Sequence, residues 1–170
     1  MANFIEIERY LKEQGIDFKI INLSEVAVSF EDVVRLSKGQ IKIEEIVKTL
    51  LLQCIKPLDK VTTNRLSDSL SPSESYLAVI LKGVARIDFS KLKILVGECR
   101  MATKDEVKQV VGVDPGAVCP ILIGVPVKID QNVAQLNRVN MGSGDHSKGL
   151  EMNFADLLTS LSEYRIEEIV

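Results

Sequence analysis

One segment, residues 47–55 with the sequence Val-Lys-Thr-Leu-Leu-Leu-Gln-Cys-Ile, constrains the fold of this chain most strongly. Its length and apolar character indicate a half-buried or buried β-strand. Because strand side chains alternate between two faces, Lys48 shares with Leu50, Leu52 and Cys54 the most apolar face of the segment. A charged amine there must find a partner, reach solvent at the strand end, or line a polar cavity. The segment therefore predicts either a snorkelling lysine or a functional cleft.

A second unusual segment, residues 112–120, has the sequence Gly-Val-Asp-Pro-Gly-Ala-Val-Cys-Pro, and Gly124 follows shortly after it. Proline fixes the backbone, and glycine lets another group approach the main chain closely. Such a rigid loop offers its N–H and C=O groups as ligands. It does not match a phosphate-binding P-loop, because it lacks the Gly-Lys-Ser/Thr ending and follows a predicted helix instead of a strand. A ligand-binding loop and a tight helix-to-strand connection both remain open.

The composition is that of an ordinary globular protein. A chain of 170 residues, 46% hydrophobic and 26% charged, predicts one soluble domain spanning residues 1–170. No apolar run approaches the roughly 18 residues that a membrane helix needs, and the N-terminus lacks the basic start and apolar centre of a signal peptide. We therefore expect a cytoplasmic protein without a membrane partner. The net charge of −3 argues against indiscriminate coating of nucleic acid.

The cysteines and the sole histidine limit metal and redox chemistry. Cys54, Cys99 and Cys119 have neither metal-binding nor redox spacing, so free thiols in a reducing compartment are expected. One histidine and scattered carboxylates offer no ligand cluster, which predicts no metal and no cofactor.

Apolar spacing and capping residues predict the helices and strands. Five helices are predicted. The first runs from Phe4 to Gly15, and the second is capped by Ser29 and runs through Leu36. The third is capped by Asp88 and ends near Gly97, the fourth runs from residue 104 to Gly112 after a Thr103–Glu106 capping box, and the fifth is capped by Asn153. Six strands are predicted, at residues 18–21, 47–55, 76–82, 126–130, 137–141 and 150–153.

This order of elements predicts the fold class. Strands in adjacent runs with few intervening helices favour an α+β domain with a curved, mixed and partly barrel-like β-sheet flanked by helices, not a doubly wound α/β fold. Residues 56–75, rich in Pro, Ser, Thr, Asn and Asp, predict the longest loop. That loop could be an insertion, a mobile lid or a long hairpin connection.

Taken in order, the motifs resemble the YbaK and prolyl-tRNA-synthetase-associated family of aminoacyl-tRNA editing domains. The resemblance covers residues 17–161. Each motif alone is weak evidence for the family, but the full set in this order and spacing is a specific signal. The matching elements are Ser-Phe-Glu-Asp at 29–32, Val-Lys-Thr-Leu at 47–50, the apolar strand at 77–81, Met-Ala at 101–102, the loop at 112–120, Val-Lys-Ile-Asp at 127–130, the glycine turn at 142–144 and Asp-Leu at 156–157.

The resemblance implies a free-standing trans-editing deacylase, which hydrolyses the ester between a wrong amino acid and the 3′ end of a tRNA. It points to alanine or cysteine on tRNA-Pro, with an aminoacyl-tRNA synthetase as a further partner. The implied catalytic residue is Lys48. The implied binding residues for the aminoacyl-adenosine end are Gly112, Gly116, Ala117, Val118, Cys119, Pro120, Gly142, Ser143, Gly144 and His146.

The residues also make chemical sense in these roles. An aminoacyl ester is already activated, so a site needs to hold it, admit one water and stabilise the oxyanion. Main-chain N–H groups of a glycine loop are suitable donors. The ammonium of Lys48 could anchor a phosphate or ribose, or polarise the ester carbonyl.

Other functions remain open on the sequence. One alternative is a non-catalytic binding module for aminoacyl-tRNA, a nucleotide or a synthetase. Another is a small-molecule hydrolase in which Cys119 and His146 form a nucleophilic dyad. His146 could equally be an exposed turn residue. A cationic stretch could contact tRNA phosphates or form a solvated face: Lys82, Arg86, Lys91 and Lys93.

Overall fold

Two β-sheets organise the chain. The computed structural model describes residues 3–27, 29–55 and 76–170, and the loop predicted at residues 56–75 lies outside them. The strands of the described residues are β1 (Lys19–Asn22), β2 (Val47–Ile55), β3 (Tyr76–Lys82), β4 (Glu98–Met101), β5 (Val127–Asp130), β6 (Arg138–Gly142), β7 (Lys148–Asn153) and β8 (Tyr164–Glu167). All six predicted strands are confirmed.

The larger sheet is mixed and has the order β4-β2-β3-β5-β8. In it, β2 is antiparallel to β3 and β4, whereas the β3–β5 and β5–β8 pairs are parallel. The smaller sheet is antiparallel and has the order β1-β7-β6. A single bridge between Ile46 and Asn140 links the two. The predicted α+β class is confirmed, but the described strands form two sheets and no closed barrel.

The sequence analysis missed two strands, β4 and β8. Both are four-residue edge strands whose side chains are mostly exposed. Strand prediction depends on alternating burial, and short exposed edges lack that alternation. Their pairing with longer strands therefore defines them more than their own sequences do.

The helices begin where the capping residues predict. They are α1 (Phe4–Glu13), α2 (Phe30–Leu36), α3 (Phe89–Val96), α4 (Lys104–Val111) and α5 (Phe154–Ser160). In α2 and α4 the capping boxes of Ser29 with Asp32 and of Thr103 with Glu106 satisfy main-chain N–H groups of the first turn. Asn153 precedes α5 but makes no side-chain capping bond. No helix of the described residues has the length and apolar character needed to cross a membrane.

β2 separates two apolar cores, as its alternating side chains require. Val47 and Leu51 belong to the main core, which also receives buried residues of α1, α4 and α5. Leu50, Leu52 and Cys54 pack in a second core under α3. A slip of one residue would exchange these two sets, so the register of β2 is strongly specified.

The cysteines correct one prediction. Cys54 and Cys99 form a disulfide, whereas free thiols were expected. The two residues are 45 positions apart in sequence but are direct partners in the antiparallel β2–β4 ladder, with their Cα atoms 4.1 Å apart. Sequence spacing cannot show this contact, because the sheet register creates it. Cys119 remains a free, buried cysteine.

The disulfide should contribute measurably to stability. A cross-link across this sequence separation restricts the unfolded chain by roughly 3–4 kcal/mol in the chain-entropy view. We expect a reductant to lower the melting temperature of the wild type by several degrees, measured by calorimetry with thiol titration of the same samples. The double variant Cys54→Ser/Cys99→Ser, the control, should not respond to reductant. An unchanged melting temperature in a fully reduced wild type would contradict this stabilising role.

Candidate functional site

A cavity of about 540 Å³ lies beside the first half of β2. β3 pairs with β2 along residues 47–53, but β4 pairs with it only at residues 52–55. All four residues 47–50, which β4 does not cover, line the cavity. Its other walls come from residues 23–33, the loop at 112–120 and the β6–β7 hairpin. The strand that carries Lys48 therefore forms one wall of a cleft.

Lys48 lies in this cavity as a partly buried cation. Loss of hydration through burial lowers its pKa, and the nearby Arg86 guanidinium lowers it further, while the Glu31 carboxylate partly offsets both effects. Arg86 and Glu31 line the same cavity. Lys48 and Arg86 have no hydrogen-bond or ion-pair partner among the described residues. Two neighbouring cations without partners favour an anion between them.

The two predicted glycine segments meet directly. A Cβ atom on Gly142 would lie 2.5 Å from the Val118 carbonyl oxygen and 3.0 Å from the Ala117 carbonyl carbon, so only glycine fits there. The Gly144 N–H donates to the Ala117 carbonyl at 2.8 Å. Gly116, with φ of 92°, adopts a backbone conformation that side chains disfavour. Gly116, Val118 and Gly142 all line the cavity.

The other residues predicted in these segments do not line the cavity. Gly112 ends α4 in a left-handed conformation, which is a structural role. Ala117, Cys119 and Pro120 are buried behind the wall. The hydroxyl of the fully buried Ser143 donates to the Lys148 carbonyl oxygen at 2.8 Å and accepts from the Asp145 N–H at 3.3 Å, and thereby closes the β6–β7 turn. These residues shape the site without facing it, and Gly144 does so through its bond to Ala117.

Cys119 is not an available nucleophile. Burial raises the pKa of its thiol to about 12, and the side chain is 2% exposed. The thiolate, which is the reactive form, is therefore absent near neutral pH. The burial of Cys119 therefore argues against a Cys119–His146 dyad, of which only His146 lines the cavity.

His146 lines the cavity in a defined orientation. Its Nδ1 atom lies 3.1 Å from the Ala27 carbonyl oxygen, and the Ala27 N–H donates back to the His146 carbonyl at 3.0 Å. A carbonyl oxygen can only accept, so Nδ1 carries the proton. In this tautomer Nε2 is the ring atom that can accept a hydrogen bond.

Several polar residues of the cavity were not predicted as site residues. They are Glu31, Thr49, Arg86, Asn140, Asp145 and Lys148. Hydrogen bonds from Ser147, and secondarily Lys148, hold the pKa of Asp145 at about 2. A polar Asn140 within the buried strand β6 was the signal that the sequence analysis overlooked, since buried polar side chains require partners.

The cationic stretch divides into two groups. Lys91 and Lys93 make ion pairs with Glu168 and Glu98, so both belong to the charged surface. Arg86 lines the cavity instead. Lys82 lies opposite Val47 in the β2–β3 ladder and outside the cavity lining.

One family model matches most of this sequence, and solved structures share its fold. The family model of the aminoacyl-tRNA editing domain matches residues 25–159. The hypothetical protein APE2540 superposes with a TM-score of 0.75 at 19% identity, covering 96% of this chain and 97% of that one. A candidate trans-editing enzyme for prolyl-tRNA synthetase has a TM-score of 0.74 at 18% identity, covering 99% and 98%. At such identities the two structures establish a common fold.

The contact at Gly142 should tolerate no side chain. We expect Gly142→Ala to lower the free energy of unfolding by about 1–3 kcal/mol, because its Cβ would clash with rigid main chain. Gly149→Ala is the matched control, since its nearest contact is the flexible Ile41 Cδ1 at 3.4 Å. Urea unfolding of both variants measures the difference. Equal stability in the two would contradict the proposed close packing.

Proposed function

The chain belongs to the aminoacyl-tRNA editing domain family, and we propose that it is a free-standing deacylase acting on mischarged tRNA, foremost tRNA-Pro carrying alanine or cysteine. The observation that carries this proposal is the shared cavity of Lys48 and the main chain of Gly116 and Val118. A cation and a side-chain-poor backbone wall are what an aminoacyl ester with its terminal nucleotide requires.

The cationic end of the cavity holds the phosphate of the terminal nucleotide. Arg86 is close enough to Lys48 for its charge to lower the pKa of Lys48, and neither side chain has an ion-pair partner among the described residues. A bound phosphate relieves this repulsion, and charge-assisted hydrogen bonds are stronger than neutral ones. Lys48 thereby positions the ester beside the glycine loop.

The glycine wall holds the adenosine and the reacting ester. Gly116, in a left-handed backbone conformation, and Gly142, packed closely on the Ala117–Val118 main chain, both line the cavity, so a ligand can approach the main chain there. Main-chain donors preorganised around a developing oxyanion typically contribute about a hundredfold or more in rate. The close packing of the two segments provides that preorganisation.

The reaction consumes one water and needs no covalent intermediate. Water attacks the ester carbonyl carbon, the bond from that carbon to the ribose oxygen breaks, and the products are a free amino acid and a tRNA with a free 3′ end. His146 Nε2, whose tautomer the Ala27 carbonyl sets, accepts the proton from water and returns it to the ribose oxygen. The buried thiol of Cys119 takes no part.

The proposed partners are tRNA and an aminoacyl-tRNA synthetase. The substrate is the aminoacylated 3′ end of tRNA, which an aminoacyl-tRNA synthetase supplies. A non-catalytic module that binds the same end remains the competing function. A deacylation screen across a panel of mischarged tRNAs separates the two, because the module would bind without hydrolysis.

Lys48→Ala should lower deacylation of a tRNA that the wild type edits by at least about tenfold, because it removes a cation that contacts substrate. The melting temperature should stay near that of the wild type, since Lys48 makes no ion pair with a described residue. Lys82→Ala is the matched control on the neighbouring strand and should retain activity. Equal activity in the Lys48 variant and the wild type would place the chemistry elsewhere.

Arg86→Ala should raise KM for a mischarged minihelix more than it lowers kcat, because the guanidinium binds phosphate. The slope of log affinity against log salt should fall by about 0.7 for one lost phosphate contact to a single strand. Lys93→Ala, which removes a lysine already paired with Glu98, is the control and should leave the slope unchanged. Loss of affinity without a change of slope would exclude the phosphate contact.

A further inference from the structure

Two buried oxygens in the cavity lining lack hydrogen-bond partners. They are Thr49 Oγ1 and Asn140 Oδ1, on residues that are 8% and 2% exposed. Buried polar atoms in native proteins are almost always paired, because an unpaired one has lost its hydration without compensation. Both residues line the cleft that also contains Lys48 and the glycine wall. A ligand with hydrogen-bond donors would satisfy both atoms.

The fold brings both residues to the lining of the same cavity. Each oxygen has less than 1 Å² of accessible surface, so a ligand donor reaches it when the side chain rotates towards the cavity. Strand alternation places Thr49 on the face of Val47, which packs in the main core with Val118 and Met141. These three apolar residues also line the cavity. Asn140 precedes Met141 on β6 and bridges to Ile46, immediately before β2.

A carboxylate orients the Asn140 amide. Its Nδ2 atom donates to Glu45 Oε2 at 3.5 Å, which leaves Oδ1 as the free end. An amide oxygen can only accept hydrogen bonds. The negative charge of Glu45 behind the amide also favours a positive group in front of it.

An aminoacyl ester carries a suitable donor. Its α-ammonium has three N–H groups and one positive charge. The α-carbon that bears this ammonium is bonded directly to the ester carbonyl carbon. Any site that holds the ester must therefore accommodate this ammonium within the same cavity. Acylation of the nitrogen removes the charge and leaves one N–H, which can satisfy only one acceptor.

We propose that Thr49 Oγ1 and Asn140 Oδ1 bind the α-ammonium of the aminoacyl group, so that the site selects esters with a free amine over N-acylated ones. This inference rests on the proposed deacylase function and adds the feature of the substrate that is read. Formylated and peptidyl esters, which share the tRNA end and the ester, are excluded by the missing charge and donors.

Binding of amide-linked analogues tests the inference without catalysis. The probes are 3′-alanylamino-3′-deoxyadenosine and its N-acetyl derivative, with calorimetry as the measurement. The wild type should bind the free amine at least about tenfold more tightly, equivalent to one strong hydrogen bond to a charged group. Equal affinity of the wild type for both probes would overturn the inference.

Thr49→Val removes the hydroxyl and retains the shape of the side chain. It should reduce the preference for the free amine severalfold and leave N-acetyl binding unchanged. Its melting temperature should not fall, because the lost oxygen has no protein partner. Thr159→Val, at an exposed residue of α5 whose hydroxyl bonds to the Ala155 carbonyl, is the matched control. A preference that survives in Thr49→Val and in Asn140→Leu would also overturn the inference.

Hydrolysis of alanyl- and N-acetylalanyl-minihelix separates this inference from the proposed function. Selective hydrolysis of the free-amine ester that declines as pH rises through the amine pKa, about 8, supports both. Equal hydrolysis of the two esters retains the deacylase and refutes the ammonium site. Selective binding of the free-amine analogue without hydrolysis of either ester retains the ammonium site and refutes the deacylase.

Discussion

The close approach of two backbone segments at Gly142 is the constraint on which the candidate site depends. The Val118 carbonyl oxygen occupies the place that a side chain of residue 142 would take. The adjacent Gly144–Ala117 hydrogen bond keeps the hairpin of the smaller sheet against the loop that follows α4. Without this contact, the cavity beside β2 would lose its backbone wall. One wall of the site is thus main chain packed on main chain, which explains why glycine is needed at position 142.

β2 connects this wall to the charged end of the cavity. Its alternating side chains pack in two separate cores, and its disulfide with β4 lies at the end remote from Lys48. The strand is therefore held in register along its whole length while its first half borders a cleft. The two cores fix the position of the strand that carries Lys48. A charged side chain on such a rigid strand is the arrangement expected of a functional residue, not of a residue that only fills the core.

The resemblance drawn from ordered motifs is confirmed at the level of the family. The helix starts and the strands with alternating burial were predictable, because capping boxes and periodicity are local properties. Lys48 and the glycine segments were predictable as unusual residues for the same reason. Arg86 and Thr49 were not recognised as cavity residues, since each has ordinary local sequence and lines the cleft only because the fold brings distant segments together. The polar Asn140 in a buried strand was a local signal, but its place beside β2 depends on the bridge to Ile46.

The sequence by itself determined the α+β class, the starts of the helices, the apolar face that contains Lys48 and the two glycine segments. Only the tertiary structure decided which of these features meet. Sheet register pairs Cys54 with Cys99 and turns an expected pair of thiols into a disulfide. Burial removes Cys119 from chemistry by raising the pKa of its thiol. The physical reason is that register and burial are properties of contacts between distant segments, and no local pattern in the chain encodes them alone.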